Sequence, residues 1–212
     1  MNISKSKLIK KDTFLVRYLG ITKYEKTLKA MQSFTALRSE HTQDEIWLLE
    51  HESIYTLGLA GDPRHLMDNE KQILVYKSDR GGQITYHAPG QLVIYTLLDL
   101  RRRQISIRSL IRDLENVVIK LLKNYNIIGF GSCKHPGVYV DERKVASLGL
   151  RIKNGCCYHG ISLNINMDLL PFKNINPCGI SGMKVTQLSD LGVTDNKDLI
   201  CQKLIDELSE VL

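Results

Sequence analysis

The sequence predicts a single mixed α/β domain over residues 1–212, with strands outnumbering helices. Three observations carry this. The chain has 212 residues, 43% of them hydrophobic and 25% charged, with no low-complexity tract, so it can bury one core but is short for two. Short apolar segments outnumber long amphipathic stripes, and several lie close enough to pair as hairpins. No repeat or linker divides the chain. Hairpin-linked strands of this kind argue against a doubly wound parallel sheet.

The elements follow in order. Residues 1–12 read as a basic N-terminal extension. A strand is expected over 13–19, where Phe14, Val16 and Tyr18 alternate with Leu15 and Arg17. A helix is expected over 22–38, capped by Thr22 with Glu25 completing a capping box, and with Leu28, Met31, Phe34 and Leu37 on one face. Residues 45–50 form a strand carrying the sole tryptophan, Trp47, and 51–58 a polar loop. A short strand over 73–76 leads into the stretch from Arg80 to Gln91. There a cation, two glycines, a threonine, a tyrosine and a histidine precede a Pro-Gly turn and the apolar run 92–99. A buried strand explains that run. It does not explain the polar residues at its mouth, which suit a site.

Beyond it, Ile107, Leu110, Ile111, Leu114, Val117, Val118, Leu121 and Leu122 keep the helical period over 106–125, a core stripe. Gly129 and Gly131 break the chain. Strands over 137–140 and 144–150, joined by the turn 141–143, make a hairpin, and 156–164 adds another strand. Residues 168–171 are expected to be irregular and 175–183 a Pro- and Gly-marked loop. A short helix is expected over 186–191 and an amphipathic one over 196–212.

Composition sets outer limits. The longest apolar runs fall far short of a membrane span, and the basic start lacks an h-region, so neither a transmembrane helix nor a secretory signal is expected. Five cysteines, an odd number with no C-x-x-C pair, argue against a disulfide framework and a zinc site and point to a reducing cytoplasm; no metal or cofactor is expected. A net charge of +6 suits an acidic partner. Only Arg101-Arg102-Arg103 forms a tight basic cluster, and no nucleic-acid-binding pattern accompanies it; an acidic carrier protein fits the charge equally well, and no nucleic-acid partner is expected.

For chemistry, Cys178 is the best nucleophile candidate, lying between Pro177 and Gly179 in a loop where a thiolate can be reached. Cys201 sits among the apolar residues of the last helix, Cys156 and Cys157 open a strand, and Cys133 lies in a loop. Unaided, any one of them is better read as a small buried hydrophobe. Lys144 and His87 are the leading groups to hold a thiolate. No phosphate-binding loop or dinucleotide fingerprint is present.

The run Arg80-Gly81-Gly82-Gln83-Ile84-Thr85-Tyr86-His87, followed by Pro89-Gly90-Gln91-Leu92 and Tyr95, resembles the hallmark of the lipoyl(octanoyl) transferases. Further blocks match in order: Tyr55-Thr56-Leu57-Gly58, Lys144-Val145-Ala146-Ser147-Leu148-Gly149, His159-Gly160-Ile161-Ser162-Leu163-Asn164, and Asn176-Pro177-Cys178-Gly179 with Gly182-Met183. The resemblance runs from about residue 14 to 190. Tyr139 stands where the family often has tryptophan, and Ile180-Ser181 where an aromatic and a small residue are common.

The resemblance implies the catalytic domain shared by biotin and lipoate protein ligases, a mixed sheet with flanking helices. It implies Cys178 as acyl-thioester nucleophile and Lys144 as the residue that activates it and shuttles its proton. It implies that Arg80, Gly81, Gly82, Gln83, Ile84, Thr85, Tyr86, His87, Ser147, Leu148, Gly149, Gly160, Ile161 and Ser162 line the acyl substrate. His87 thereby moves from base to supporting residue. The implied donor is octanoyl-acyl carrier protein. The implied acceptors are the lipoyl domains of 2-oxoacid dehydrogenases and the glycine cleavage H protein. Two alternatives stand beside this: an ATP-dependent lipoate or biotin ligase on the same fold, and a non-catalytic acyl-carrier-binding module.

Overall fold

The computed structural model describes residues 7–11, 13–69 and 72–212. The strands are β1 (Lys7–Lys10), β2 (Phe14–Thr22), β3 (Asp44–His51), β4 (Ile54–Leu57), β5 (Leu74–Lys77), β6 (Ile84–His87), β7 (Gln91–Asp99), β8 (Phe130–Gly131), β9 (Gly137–Val140), β10 (Arg143–Lys153) and β11 (Cys156–Asn164). The α-helices are α1 (Tyr24–Ala36), α2 (Ile107–Lys123) and α3 (Lys197–Val211). Of the extension expected over 1–12, residues 1–6 and 12 lie outside the described residues, and Lys7–Lys10 pairs antiparallel with β2.

The strands form an eight-stranded sheet in the order β1-β2-β3-β7-β11-β10-β9-β8 and a three-stranded sheet in the order β5-β4-β6. Both are mixed: β2 runs parallel to β3 and β4 to β5, while the other pairs are antiparallel.

The central strand β7 explains its uninterrupted apolar run. With side chains alternating across the pleat, Leu92, Ile94 and Leu98 enter a core with α2 and α3, while Val93, Tyr95 and Leu97 enter a second core under α1. Both faces are covered, so alternation in polarity disappears.

On α2 the residues Leu110, Leu114, Val117, Val118, Leu121 and Leu122 are buried, and Ser106 Oγ caps the helix by accepting from Ser109 N. Each buried side chain is worth about 1.5–3 kcal/mol. That outweighs the few tenths of a kcal/mol that valine costs in a helix. Ile107 and Ile111, expected in the same stripe, stand outside this core, with Ile107 44% exposed.

Several expectations need correction. Thr22 does not cap α1. It ends β2, its hydroxyl receives a hydrogen bond from Thr27 Oγ1, and the N-cap position, Lys23, supplies no side-chain cap. Leu37 follows α1 and is 83% exposed instead of sharing its buried face. The loop expected over 51–58 contains β4, and the stretch at Arg80 contains β6. These short strands pair with each other, so their order depends on a partner about thirty positions away. Phe130–Gly131 pairs with β9 instead of merely breaking the chain. Residues 170–174 are a 3-10 turn, and over 186–191 only Ser189–Leu191 is helical, also as a 3-10 turn.

The arginine cluster has a structural role. Arg38, Arg102 and Arg103 converge on the buried Asp44, and Arg103 also donates to the carbonyl of Leu212. A carboxylate removed from water needs such partners. Among the described residues no helix is long and apolar enough to cross a membrane.

Candidate active site

Lys144 lies near the start of β10, at a bulge where the pairing with β9 shifts register between Lys144 and Ala146. Its side chain is buried, which is rare for a lysine. Its Nζ donates to Pro136 O at 3.1 Å and to Cys178 Sγ at 3.0 Å, and stands 5.1 Å from the centre of the Tyr139 ring. Gly137 makes room for it. A Cβ there would lie 2.6 Å from Lys144 Cε and 2.4 Å from Ala146 O.

Cys178 sits in a 3-10 turn over Pro177–Gly179 with φ 56°, ψ 15°, and Gly179 follows at φ 72°. A left-handed non-glycine residue carries local strain that the surroundings must sustain, a condition concentrated at functional sites. Here the segment after the turn returns to β10, where Lys144 N donates to Lys184 O and Thr186 N donates to Lys144 O, both at 2.9 Å. Of the other thiols, Cys157 and Cys201 are core residues that burial pushes up to about 11 and about 12, and Cys133 is exposed.

The dyad borders a slot lined by most of the expected residues. Arg80, Gly82, Gln83, Ile84, Thr85 and His87 come from the stretch that includes β6. Ser147, Leu148 and Gly149 come from β10, and Gly160, Ile161 and Ser162 from β11. Two are placed elsewhere: Gly81 lines an adjoining cavity, and Tyr86 packs against Tyr55 and Phe172 in the core of the small sheet. Tyr24, Val93, Tyr95, His159 and Pro177 complete the slot. Tyr95 and His159 stood in the matching blocks, which was the available signal. Tyr24 opens α1, and no local pattern marks it.

Arg80 is buried, and among the described residues no carboxylate pairs with it. Its guanidinium donates to Thr56 O at 2.6 Å, to Thr56 Oγ1 at 2.9 and 3.2 Å, and to Gly81 O at 2.9 Å. Burial lowers its pKa, but an arginine stays protonated.

The same network fixes His87. Gln91 Nε2 donates to Tyr86 O and Asn164 Oδ1, which leaves Gln91 Oε1 to accept from His87 Nδ1 at 2.6 Å. Thr56 Oγ1, already accepting from Arg80, donates its own hydrogen to His87 Nε2 at 3.3 Å. The ring is therefore neutral with both nitrogens engaged. Burial, with nearby His51 and Arg80, holds it well below the usual imidazole range. A lone pair committed to a hydroxyl is not available as a base, so His87 positions the wall.

Beneath the slot, burial brings His51 down to about 4, and its Nε2 meets Tyr95 Oη at 2.7 Å. His159 has φ 65°, which breaks the alternation of β11 and turns its ring to the same side as Tyr158. Both reach Asp79: His159 Nε2 donates at 2.8 Å, and Tyr158 Oη also donates. Burial opposes the charge on Asp79, but hydrogen bonds from His159, Tyr158 and Gln32 hold it well below the usual carboxylate range.

A family model described as the lipoyl protein ligase A/B catalytic domain matches residues 23–210. The chain belongs to that family. A curated relative in Nitrosomonas europaea, named Octanoyltransferase, is 52% identical over 203 residues, covering 94% of this chain and 99% of that protein. Among solved structures, lipoate-protein ligase A bound with ATP superposes with a TM-score of 0.77 at 15% identity, covering 92% of this chain and 84% of that one. Biotin protein ligase from Aquifex aeolicus in complex with biotin and ATP does so with a TM-score of 0.57 at 18% identity, covering 92% and 69%. At such identities the likeness to the ligases shows the fold. The lipoyl protein ligase A/B catalytic domain is thus the mixed sheet with flanking helices described above, and the expected fold class holds.

Proposed function

We propose that the chain is an octanoyltransferase that carries an octanoyl group from octanoyl-acyl carrier protein to a lysine of lipoyl domains, through a thioester on Cys178. The observation that carries this reading is the 3.0 Å contact between Lys144 Nζ and Cys178 Sγ at the mouth of the slot. The relative at 52% identity named Octanoyltransferase supports the transferase over an ATP-dependent ligase, whose likeness rests on fold alone. A buried lysine held against a reachable thiol also speaks against a non-catalytic binding module.

In the first half-reaction Lys144 takes the Cys178 proton as sulfur attacks the thioester carbonyl, then returns it to the departing carrier thiol. One thioester replaces another, so the step is nearly balanced and needs no ATP. In the second, an acceptor amine, with a reference pKa of about 10.4, attacks the acyl-enzyme and gives its proton to Lys144. The Cys178 thiolate leaves and recovers that proton. Amide formation drives this half forward. Backbone N–H groups of the glycine-bearing loops hold the oxyanion in each step.

The acyl chain occupies the slot. Ser147 and Leu148, both half-buried, line it. Arg80, Gly82, Gln83, Ile84, Thr85, His87, Gly149, Gly160, Ile161 and Ser162 form the remaining wall, with Gly81 and Tyr86 supporting it from behind. The acceptors are the lipoyl domains of 2-oxoacid dehydrogenases and the glycine cleavage H protein, in the cytoplasm, where the five free thiols stay reduced.

The test is intact-mass analysis after incubation with octanoyl-carrier protein and no ATP. Wild type gains one octanoyl group, while Cys178→Ser gains none and transfers none. Undiminished transfer by the serine variant, or strict ATP dependence, overturns the reading.

A further inference from the structure

Cys178 borders a second cavity as well as the slot. This one, about 330 Å³, lies between residues 134–136, the first turns of α2 and β10, and shares Gly82, Gln83, Leu148, Gly149 and Cys178 with the slot. The two differ in kind. Every residue that lines only the slot is buried except Ser147, whereas every residue that lines only the second cavity is partly or fully exposed. One is walled by buried side chains and the other by exposed ones, and the thiol stands where they meet.

A thioester has two substituents that diverge from the carbonyl under attack. The acyl chain ends, and a pocket walled by buried side chains can hold it. The thiol arm must continue out to the protein that carries it, which requires an open path. We propose, resting on the acyl-transfer reading, that the second cavity receives the phosphopantetheine arm of the acyl carrier protein. Its apolar wall of Ile107, Ile111, Leu150 and Ile152 suits the methylene and dimethyl portions of such an arm. At its rim Lys134 is exposed and His135 half-buried, and among the described residues its lining contains no carboxylate. That charge pattern suits a phosphate.

This assignment gives roles to features otherwise unexplained. Ile107 and Ile111 fit the helical stripe of α2 yet stay out of the core, and Ile107 is 44% exposed. The loop that bears Lys134 also supplies Pro136 O, an acceptor for Lys144 Nζ. An arm resting on this loop therefore lies one residue contact away from the group that must protonate its departing sulfur.

The test uses full-length Lys134→Glu and Ile107→Trp, with Cys178 acylation followed by intact mass. The donors are octanoyl-carrier protein and octanoyl-N-acetylcysteamine, a truncated thioester with no phosphate. Each variant is expected to slow acylation by the carrier-borne donor about tenfold, the size of one lost charged hydrogen bond. Acylation by the truncated donor should change less than about twofold, and its persistence keeps the acyl-enzyme reading intact whatever happens to the arm. Equal slowing with both donors would assign the cavity to the acyl chain and overturn the proposal. So would slowing confined to transfer from preloaded enzyme to a lipoyl domain, which would make the cavity the acceptor's entry. No change with either donor overturns it too.

Discussion

Lys144 and Val185 form a one-residue parallel bridge: Lys144 N donates to Lys184 O, and Thr186 N donates to Lys144 O, each at 2.9 Å. The clamp joins the lysine's own backbone to the segment that follows Cys178. Amine and thiol are thus set face to face by main-chain hydrogen bonds, and the 3.0 Å contact between them does not depend on their mutual attraction alone. Such preorganisation matters because a displacement of about 1 Å can cost about a hundredfold in rate.

Lys144→Met separates chemistry from structure. Removing the proton carrier should slow both acylation of Cys178 and transfer to the acceptor by about 10²–10⁴-fold. A buried amine gives way to an apolar chain of similar length, so the melting temperature should stay near that of wild type. Single-turnover measurements of each half-reaction, with calorimetry on the same samples, read both effects. A variant that loses only one half-reaction would show that Lys144 does not serve twice.

Gly137→Ala tests whether the position of the amine matters as much as its presence. Gly137 has φ 142°, and an added Cβ would lie 2.6 Å from Lys144 Cε, so the lysine must shift. The expected loss is about 10–100-fold in acylation rate. The strained backbone should cost about 1–3 kcal/mol in urea unfolding. An active variant with unchanged rate would mean that the dyad tolerates movement.

How much of this was legible depended on whether a residue's surroundings were local. The stripe of α2 and the run of β7 announced themselves because each obeys one period over many residues. Cys178 and Lys144 did not: loop position put Cys178 first without removing Cys133, Lys144 stood level with His87, and the matching blocks decided both. His87 looked like a base because the sequence cannot show Gln91 and Thr56 occupying both ring nitrogens. The left-handed backbone of His159 likewise follows from tertiary demands, since strand alternation alone would send its side chain to the opposite face. Thr22 satisfied the capping pattern, but β2 extends through it, and its hydroxyl serves Thr27.

Arg80→Lys should fail although the charge is kept. A guanidinium meets the carbonyl and hydroxyl of Thr56 and the carbonyl of Gly81 together, and a lysine cannot span that fork. An unsatisfied buried carbonyl costs about 1–3 kcal/mol, which should appear as a lower midpoint in urea. Because Thr56 Oγ1 also orients His87, acylation by the truncated thioester should slow as well. Retained stability with normal acylation would remove Arg80 from the wall.

The buried histidines make stability depend on pH in a fixed direction. His51 is lowered to about 4, and His87 and His159 are also lowered, in each case chiefly by burial. In the unfolded chain all three titrate near pH 6.5. As pH falls below that value, the unfolded state takes up protons that the folded state excludes, so stability present above pH 6.5 is lost on acidification towards pH 4. The slope approaches about 1.4 kcal/mol per pH unit for each histidine that stays neutral when folded. Urea unfolding from pH 7 to pH 4.5 measures the summed slope. His51→Gln removes one titrating group and should flatten the curve by about one histidine's share, although the variant is less stable at pH 7 for want of the Tyr95 contact. A slope equal to wild type's would show that His51 is protonated in the folded protein.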